Sequence, residues 1–465
     1  MVMRKRCAQG YQRDSAALSA LLCGRLLESV YARNLQCLFV VHVRAAVTET
    51  RERKTMPSAP KSRPYDVVLY GATGFVGRQT VDYFAHAPQV KATGLRWALG
   101  GRSASKLEAM RTASCAKVAG IVVAEAHDAA AMDALAASTK VVLSTAGPFA
   151  LYGSELVAAC VRHGTHYVDI TGETPWVKSM IDQHHAQAQH TGARIIPFCG
   201  FDSVPSELSV RLAIETMWER YGEACTQVKT AFSIRGGFNG GTLASLFNML
   251  ASGQAAAMAD PFLLNPEGSR PPNMQAHADV KGPRFDSDFA AWLGPFMMAP
   301  INTRVVRRSA ALLDYPAGFS YQEYLRLGKG VGAAVAATGL SAGMAVSDAA
   351  LKVGPLRRLA QKLAPQPGAG PSEASMDGGS FRCQWVGHSA SGKTVRGVVA
   401  DQGDPGNRAT TKMLCESALA LALQLEALPG GRQHGGVLTP ASGLGDVLVQ
   451  RLRLAGMTLQ ADPPP

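Results

Sequence analysis

The run Gly71-Ala72-Thr73-Gly74-Phe75-Val76-Gly77 constrains this 465-residue chain more than any other feature. Before it, Tyr65-Asp66-Val67-Val68-Leu69-Tyr70 has the character of a short strand. After it, Arg78-Gln79-Thr80-Val81-Asp82-Tyr83-Phe84 reads as a helix. A bound pyrophosphate requires that order. A tight turn needs a residue without a side chain, the backbone must then approach the anion, and the helix N-terminus must aim amide donors at it. The third glycine lets the helix pack closely on the strand. An ordinary glycine-rich turn has similar spacing, but the flanking strand and helix favour a dinucleotide site. Gly71, Ala72, Thr73, Gly74, Phe75, Val76 and Gly77 are therefore assigned to cofactor binding.

The end of the next strand selects the cofactor. Leu95-Arg96-Trp97-Ala98-Leu99 runs into Gly100-Gly101-Arg102-Ser103. A site for NAD usually carries Asp or Glu there, accepting from the ribose 2′-hydroxyl. No acid is present. Arg102, Ser103 and Lys106 stand in its place, a set that suits a 2′-phosphate, which a carboxylate would repel. NADP is the expected cofactor; the plainer alternative leaves Arg102 as a solvated surface residue. Strands at 120–123, 141–149, 166–170 and 195–199, with helices at 128–135 and 153–162, continue a doubly wound pattern. Ligands in such sheets lie beyond the carboxyl ends of the strands, which places Ala146, Gly147 and Pro148 beside the nicotinamide.

The net charge of +12 is unevenly spread. Residues 1–63 hold twelve Lys and Arg against four Asp and Glu, while the remaining 402 hold 35 against 31. A near-neutral body with a basic leader lacks the charge to hold a polyanion along one face, so no nucleic-acid partner is expected. The nine cysteines have no CxxC spacing and form no cluster, which argues against a zinc site or a disulfide scaffold. Segment 1–62 is expected to be a disordered basic extension; its longest apolar stretch, Cys37 to Val41, is far too short to span a bilayer.

The glycine turn, Gly101-Arg102-Ser103, Ser144 to Phe149 and His166-Tyr167-Val168-Asp169-Ile170-Thr171-Gly172-Glu173 together resemble the saccharopine dehydrogenase-like oxidoreductases, which include the trans-acting enoyl reductases. Gly200-Phe201-Asp202-Ser203-Val204-Pro205, Gly240-Gly241-Thr242, Gly403-Asp404-Pro405-Gly406 and Gly435-Gly436-Val437-Leu438-Thr439-Pro440 extend the likeness to about residues 63–460. Asn407-Arg408 departs from it, since a Tyr is expected after Gly406. The resemblance implies an NADP-binding Rossmann domain followed by a mixed α+β domain. It also implies a link to lipid or glycolipid metabolism, with membrane or lipid-droplet association in some members.

The expected architecture is α/β: a Rossmann-type doubly wound parallel sheet over 63–205, then an α+β substrate and dimerisation domain over 206–465. In the second part, 232–235 and 381–387 read as strands, and 394–400 forms a hairpin with the latter. Residues 365–379 read as a loop, and Thr410 to Leu428 as a long helix. The uncharged Gly/Ala-rich segment 330–347 is at the lower limit for a membrane span. A buried or interfacial helix is favoured there, with contact to lipid as the second reading.

A short-chain dehydrogenase would protonate its substrate with a Tyr followed four residues later by Lys. None of the eleven tyrosines has that partner. Acids beyond the strand ends are Tyr152, Asp169, Glu173 and Asp202, of which Tyr152, Asp169 and Asp202 are taken as catalytic candidates. Each has a structural alternative: the aspartates cap turns, and Tyr152 packs. His163, His166, His184 and His185 lack an acidic partner motif, so no metal is expected. The expected function is an NADP-dependent reductase of an acyl (enoyl) or lipid-linked substrate. The expected location is cytoplasmic with peripheral membrane contact as an option, and the expected assembly a homodimer. A non-catalytic NADP-binding scaffold or redox sensor at a membrane surface is the alternative.

Overall fold

Strand β1 (Tyr65–Tyr70) stops where Gly71 takes φ +86°, and the helix Phe75–His86 starts four residues later. The computed structural model describes residues 63–463 except 115–116, 238–239, 252, 364–367 and 369; the basic extension lies outside the described residues. The strand–helix alternation continues through β2 (Trp97–Gly101), β3 (Gly120–Val123), β4 (Thr139–Ser144), β5 (His166–Asp169) and β6 (Arg194–Ile196). Val67, Val68, Leu69, Val141, Val142 and Leu143 are fully buried. Such unbroken apolar runs belong to a parallel sheet covered on both faces, each side chain contributing about 1.5–3 kcal/mol.

The second sheet uses β7 (Cys225–Arg235), β8 (Arg284–Asp286), β9 (Ala291–Pro295), β10 (Ser320–Gly328), β11 (Ser380–Ser389) and β12 (Thr394–Gln402). Two later strands, β13 (Gly436–Val437) and β14 (Thr458–Ala461), go to different sheets. The first sheet has the order β13-β6-β5-β4-β1-β2-β3, and every pairing is parallel. The second has the order β14-β12-β11-β7-β10-β9-β8, antiparallel except between β7 and β10. The β11–β12 hairpin matches the expected one. The helix Val204–Tyr221 leaves the first sheet and covers the inner face of the second, where Phe381, Cys383 and Trp385 are buried.

Residues 206–465 do not stay with the second sheet. The helix Thr410–Leu423, shorter than expected, packs against β4 and β5, and β13 extends the first sheet beyond β6. Buried Arg194 fixes that return: its guanidinium donates to the carbonyls of Gly443 (2.6 Å), Pro429 (2.7 Å) and Gly431 (2.6 Å). Hydrogen bonds from a charged donor are stronger than neutral ones, so one side chain holds a turn and a helix start of a distant segment.

Three further expectations change in detail. The strand expected over 141–149 ends at Ser144 because a loop and the short helix Phe149–Tyr152 follow. Within 365–379 a helix, Glu373–Asp377, forms where Ser372 accepts from Ser375 N. The apolar segment is helical from Gly330 to Lys352, but only Ala333 and Ala337 are buried, so its apolar composition is not accounted for by burial in the core.

Candidate active site

The glycine turn is shaped by what it excludes. A Cβ at Gly77 would lie 2.1 Å from the Gly71 carbonyl oxygen, and one at Gly71 would lie 2.9 Å from Ala146 N. The Thr145 hydroxyl donates to the carbonyls of Tyr70 (3.3 Å) and Gly71 (3.2 Å), so the end of β4 is tied to the turn. Gly74 begins the helix without a side-chain cap. The first-turn amides are therefore available to an anion, as a pyrophosphate site requires. Ala72 and Val76 turn their side chains into the core, and Thr73 accepts from Arg78 through its carbonyl. The seven residues offer backbone rather than side chains.

At the end of β2, Arg102 is exposed and makes no hydrogen bond or ion pair with a described residue. Ser103 caps the helix Ala104–Ala113, its hydroxyl accepting from Lys106 N at 3.5 Å, and the Lys106 side chain is exposed. An unpaired guanidinium, a capped helix start and a second cation four residues later fit a 2′-phosphate.

Beyond β4, Ala146, Gly147 and Pro148 lead into the helix Phe149–Tyr152. Glu173, buried beyond β5, accepts from Phe149 N (2.7 Å), Ala150 N (3.1 Å) and the Ser245 hydroxyl (2.7 Å). Ser245 sits on the helix Gly240–Ala251, so one carboxylate holds the expected nicotinamide edge to an element 72 residues away in sequence. The Glu173–Ser245 tie was not legible beforehand, because no motif marks Ser245. Asn407, which stands where a Tyr was expected, is held with Arg408 by Asp404: both backbone amides donate to its carboxylate, and so does Asn407 Nδ2 at 2.7 Å.

The candidate acids occupy three different environments. Asp169 is wholly buried and accepts from Tyr167 Oη (2.9 Å), Thr171 N (3.0 Å) and Phe198 N (3.3 Å). Burial pushes its carboxyl up to about 7, against those three donors. Its bonds tie the loops after β5 and β6 together. Tyr152 turns its ring to His127 in the loop after β3, the centroids 5.7 Å apart, and ends the short helix after β4 whose first amides donate to Glu173. Asp202 lies beyond β6 opposite Gly172, whose added Cβ would meet Asp202 Oδ2 at 3.3 Å and Ile301 Cδ1 at 3.0 Å. Its side chain is half-buried, no described residue donates to its carboxyl, and burial raises it to about 7. Asp169 ends β5, Asp202 follows the neighbouring β6, and Tyr152 follows β4 on the other side of β5.

Three of the four histidines have structural partners. His163 pairs with Asp133 at 3.1 Å, and the rings of His166 and His185 accept from Arg194 N and Val437 N. Among the described residues, no three His, Cys, Asp or Glu side chains converge as metal ligands.

Residues 67–196 match the family model described as the saccharopine dehydrogenase NADP binding domain. The trans-acting enoyl reductase of Mycobacterium tuberculosis H37Rv is 37% identical over 421 residues, covering 86% of this chain and 98% of its own. A second protein of that strain, given the same name provisionally, is 40% identical over 415 residues, covering 86% and 97%. The chain belongs to the saccharopine dehydrogenase-like oxidoreductases that include the trans-acting enoyl reductases. The apo, histidine-tagged saccharopine dehydrogenase (L-Glu forming) of Saccharomyces cerevisiae aligns over 86% of this chain and 99% of its own, at 12% identity and a TM-score of 0.49. As a member of this oxidoreductase family, the protein is an enzyme that binds NADP.

Membership sharpens the test of Arg102. Arg102→Asp is expected to weaken NADPH binding by about two orders of magnitude, the loss of a charge-assisted contact to phosphate plus repulsion. NADH affinity should hold or improve, since a carboxylate accepts from a 2′-hydroxyl. Fluorescence titration with both nucleotides reads the ratio; an unchanged preference would leave Arg102 as a solvated surface residue.

Proposed function

We propose that the protein is an NADPH-dependent reductase of an enoyl group on an acyl or lipid-linked substrate, with Asp202 as the proton donor. The observation that carries this reading is the half-buried Asp202 carboxyl beyond β6, which takes no donor from a described residue, is raised to about 7 and faces Gly172. In this reading the 71–77 turn cradles the pyrophosphate, Arg102, Ser103 and Lys106 receive the 2′-phosphate, and Ala146, Gly147 and Pro148 border the nicotinamide. NADPH, when bound, supplies a hydride. Asp202 holds a proton near neutral pH and gives it to the carbanion that addition to an enoyl thioester creates, completing the saturated product. Asp169 and Glu173 act as positioning residues for the loops around it. The relatives' name supplies the enoyl substrate class. A role in lipid or glycolipid biosynthesis, in the cytoplasm at a membrane surface, is the setting we assign.

Incubating the purified protein with NADPH and a panel of enoyl thioesters of increasing chain length tests this reading. Stoichiometric NADPH oxidation with formation of the saturated thioester is expected. Tight NADPH binding with no oxidation across the panel would instead favour a cofactor-binding scaffold or sensor.

A further inference from the structure

Between β10 and β11 the chain leaves the second sheet and makes two consecutive helices, Gly330–Lys352 and Gly354–Leu363. The first is seated on the sheet by one narrow stripe. Ala333 and Ala337 are buried, and Gly294 on β9 leaves room for Leu340, which an added Cβ would meet at 3.1 Å. Its opposite side is apolar and open to solvent: Val331 is 81% exposed, Val335 67% and Val346 69%. These residues recur at helical spacing, so they form one strip rather than scattered exceptions.

The second helix adds exposed apolar side chains with charge beside them. Leu356 and Leu359 are 48% and 54% exposed, and the exposed Arg358 and Lys362 flank them. From 349 to 372 the sequence carries Lys352, Arg357, Arg358 and Lys362 and no acidic residue. The one acid of the first helix, Asp348, is paired with Lys352 at 2.7 Å, and an exposed apolar edge with further cations beside it is the pattern of a helix lying in a lipid interface, its cations at anionic headgroups. A protein partner would need a complementary acidic rim; a bilayer with anionic lipid supplies charge along the whole strip.

The topology decides between lying on a membrane and crossing it. The helix Gly330–Lys352 is long and apolar enough to cross a bilayer by length and composition. Yet β10 and β11 belong to the same sheet, so the chain must leave and return on one side. The ten-residue helix Gly354–Leu363 is too short to cross back.

We infer that the exposed strip Val331, Val335, Val346, Leu356 and Leu359, with Arg358 and Lys362, docks the enzyme in the plane of an anionic lipid surface. This deepens the lipid-linked reading above by naming where such a substrate is met. Because binding is read without substrate, either proposal can fail alone.

The test is flotation of the full chain with vesicles of phosphatidylcholine alone or of phosphatidylcholine with phosphatidylglycerol. Size measurement by light scattering and NADPH titration run alongside. Binding is expected only with phosphatidylglycerol and should weaken with salt. L356S/L359S and R358E/K362E should each reduce it about tenfold, with NADPH affinity unchanged. Three results would overturn the proposal: no flotation with either vesicle, equal flotation of the variants, or a strip whose substitution only converts a dimer to a monomer.

Discussion

Gly77→Ala is expected to weaken NADPH binding by more than about 100-fold, or roughly 2.7 kcal/mol, in a protein that remains folded but melts earlier. The methyl group would be placed 2.1 Å from the Gly71 carbonyl oxygen and 2.9 Å from the carbonyl carbons of Gly71 and Ala72. All three are backbone atoms of the turn itself, so no rotamer change relieves the contact. The helix Phe75–His86 must lift from β1, carrying away the amides that face the anion; overpacking of this kind costs about 1–3 kcal/mol before any lost ligand contact is counted. Two neighbouring glycines grade the effect. A Cβ at Gly74 comes within 3.3 Å of the same oxygen, and one at Gly101 meets only Leu107, at 3.6 Å. Affinity should therefore fall in the order Gly101→Ala, Gly74→Ala, Gly77→Ala, with the first near wild type. Titration with circular dichroism as the folding control reads the series, and a Gly77→Ala variant that binds like Gly101→Ala would refute the assignment of this turn.

That series rests on the part of the molecule the sequence states most openly. Strand, glycine turn, helix and the acid-free end of β2 lie within about forty consecutive residues, and their chemistry is local. What could not be read is long-range. β13 is two residues, Gly436 and Val437, and exists as a strand only because β6 offers an edge and Arg194 pins the surrounding carbonyls. Backbone acceptors leave no trace in a sequence. Glu173 meets Ser245 for the same reason: the carboxylate was visible as a candidate acid, but its three donors come from two separate elements. The uncharged run was visible up to Asp348, whereas the helix runs on to Lys352 and is followed by an amphipathic one. Tyr152, Asp169 and Asp202 looked equivalent as residue types beyond strand ends. Their contacts separate them: Tyr152 turns its ring to His127, Asp169 takes three donors, and no described residue donates to the Asp202 carboxyl.

The same sorting sets the expected outcome for Asp202→Asn: turnover falls by about 10²–10⁴-fold while NADPH affinity stays at the wild-type value. The amide keeps the volume and polarity of the side chain and removes only the transferable proton. The Asp202 carboxyl takes no donor from a described residue to favour its anion, and burial raises it from its ordinary value to about 7. It is therefore protonated below that pH and competent as an acid, and the wild-type rate should decline as pH rises through about 7. In Asp202→Asn that limb should vanish along with most of the rate. Linkage gives a second readout with a fixed sign. The native state keeps the proton between the ordinary carboxylate range and about 7, where the unfolded chain has lost it, so this group's contribution to stability falls as pH rises across that window. Asparagine never ionises, so the variant should melt higher than wild type above pH 7 while being far less active. Asp169→Asn should do the opposite: its Oδ1 can still accept from Thr171 N and Phe198 N, but the amide nitrogen that replaces Oδ2 takes the acceptor from the buried Tyr167 hydroxyl, so the melting temperature is expected to fall. A full-rate Asp202→Asn enzyme with the alkaline limb intact would remove Asp202 from the reaction and return the search for the donor to Tyr152.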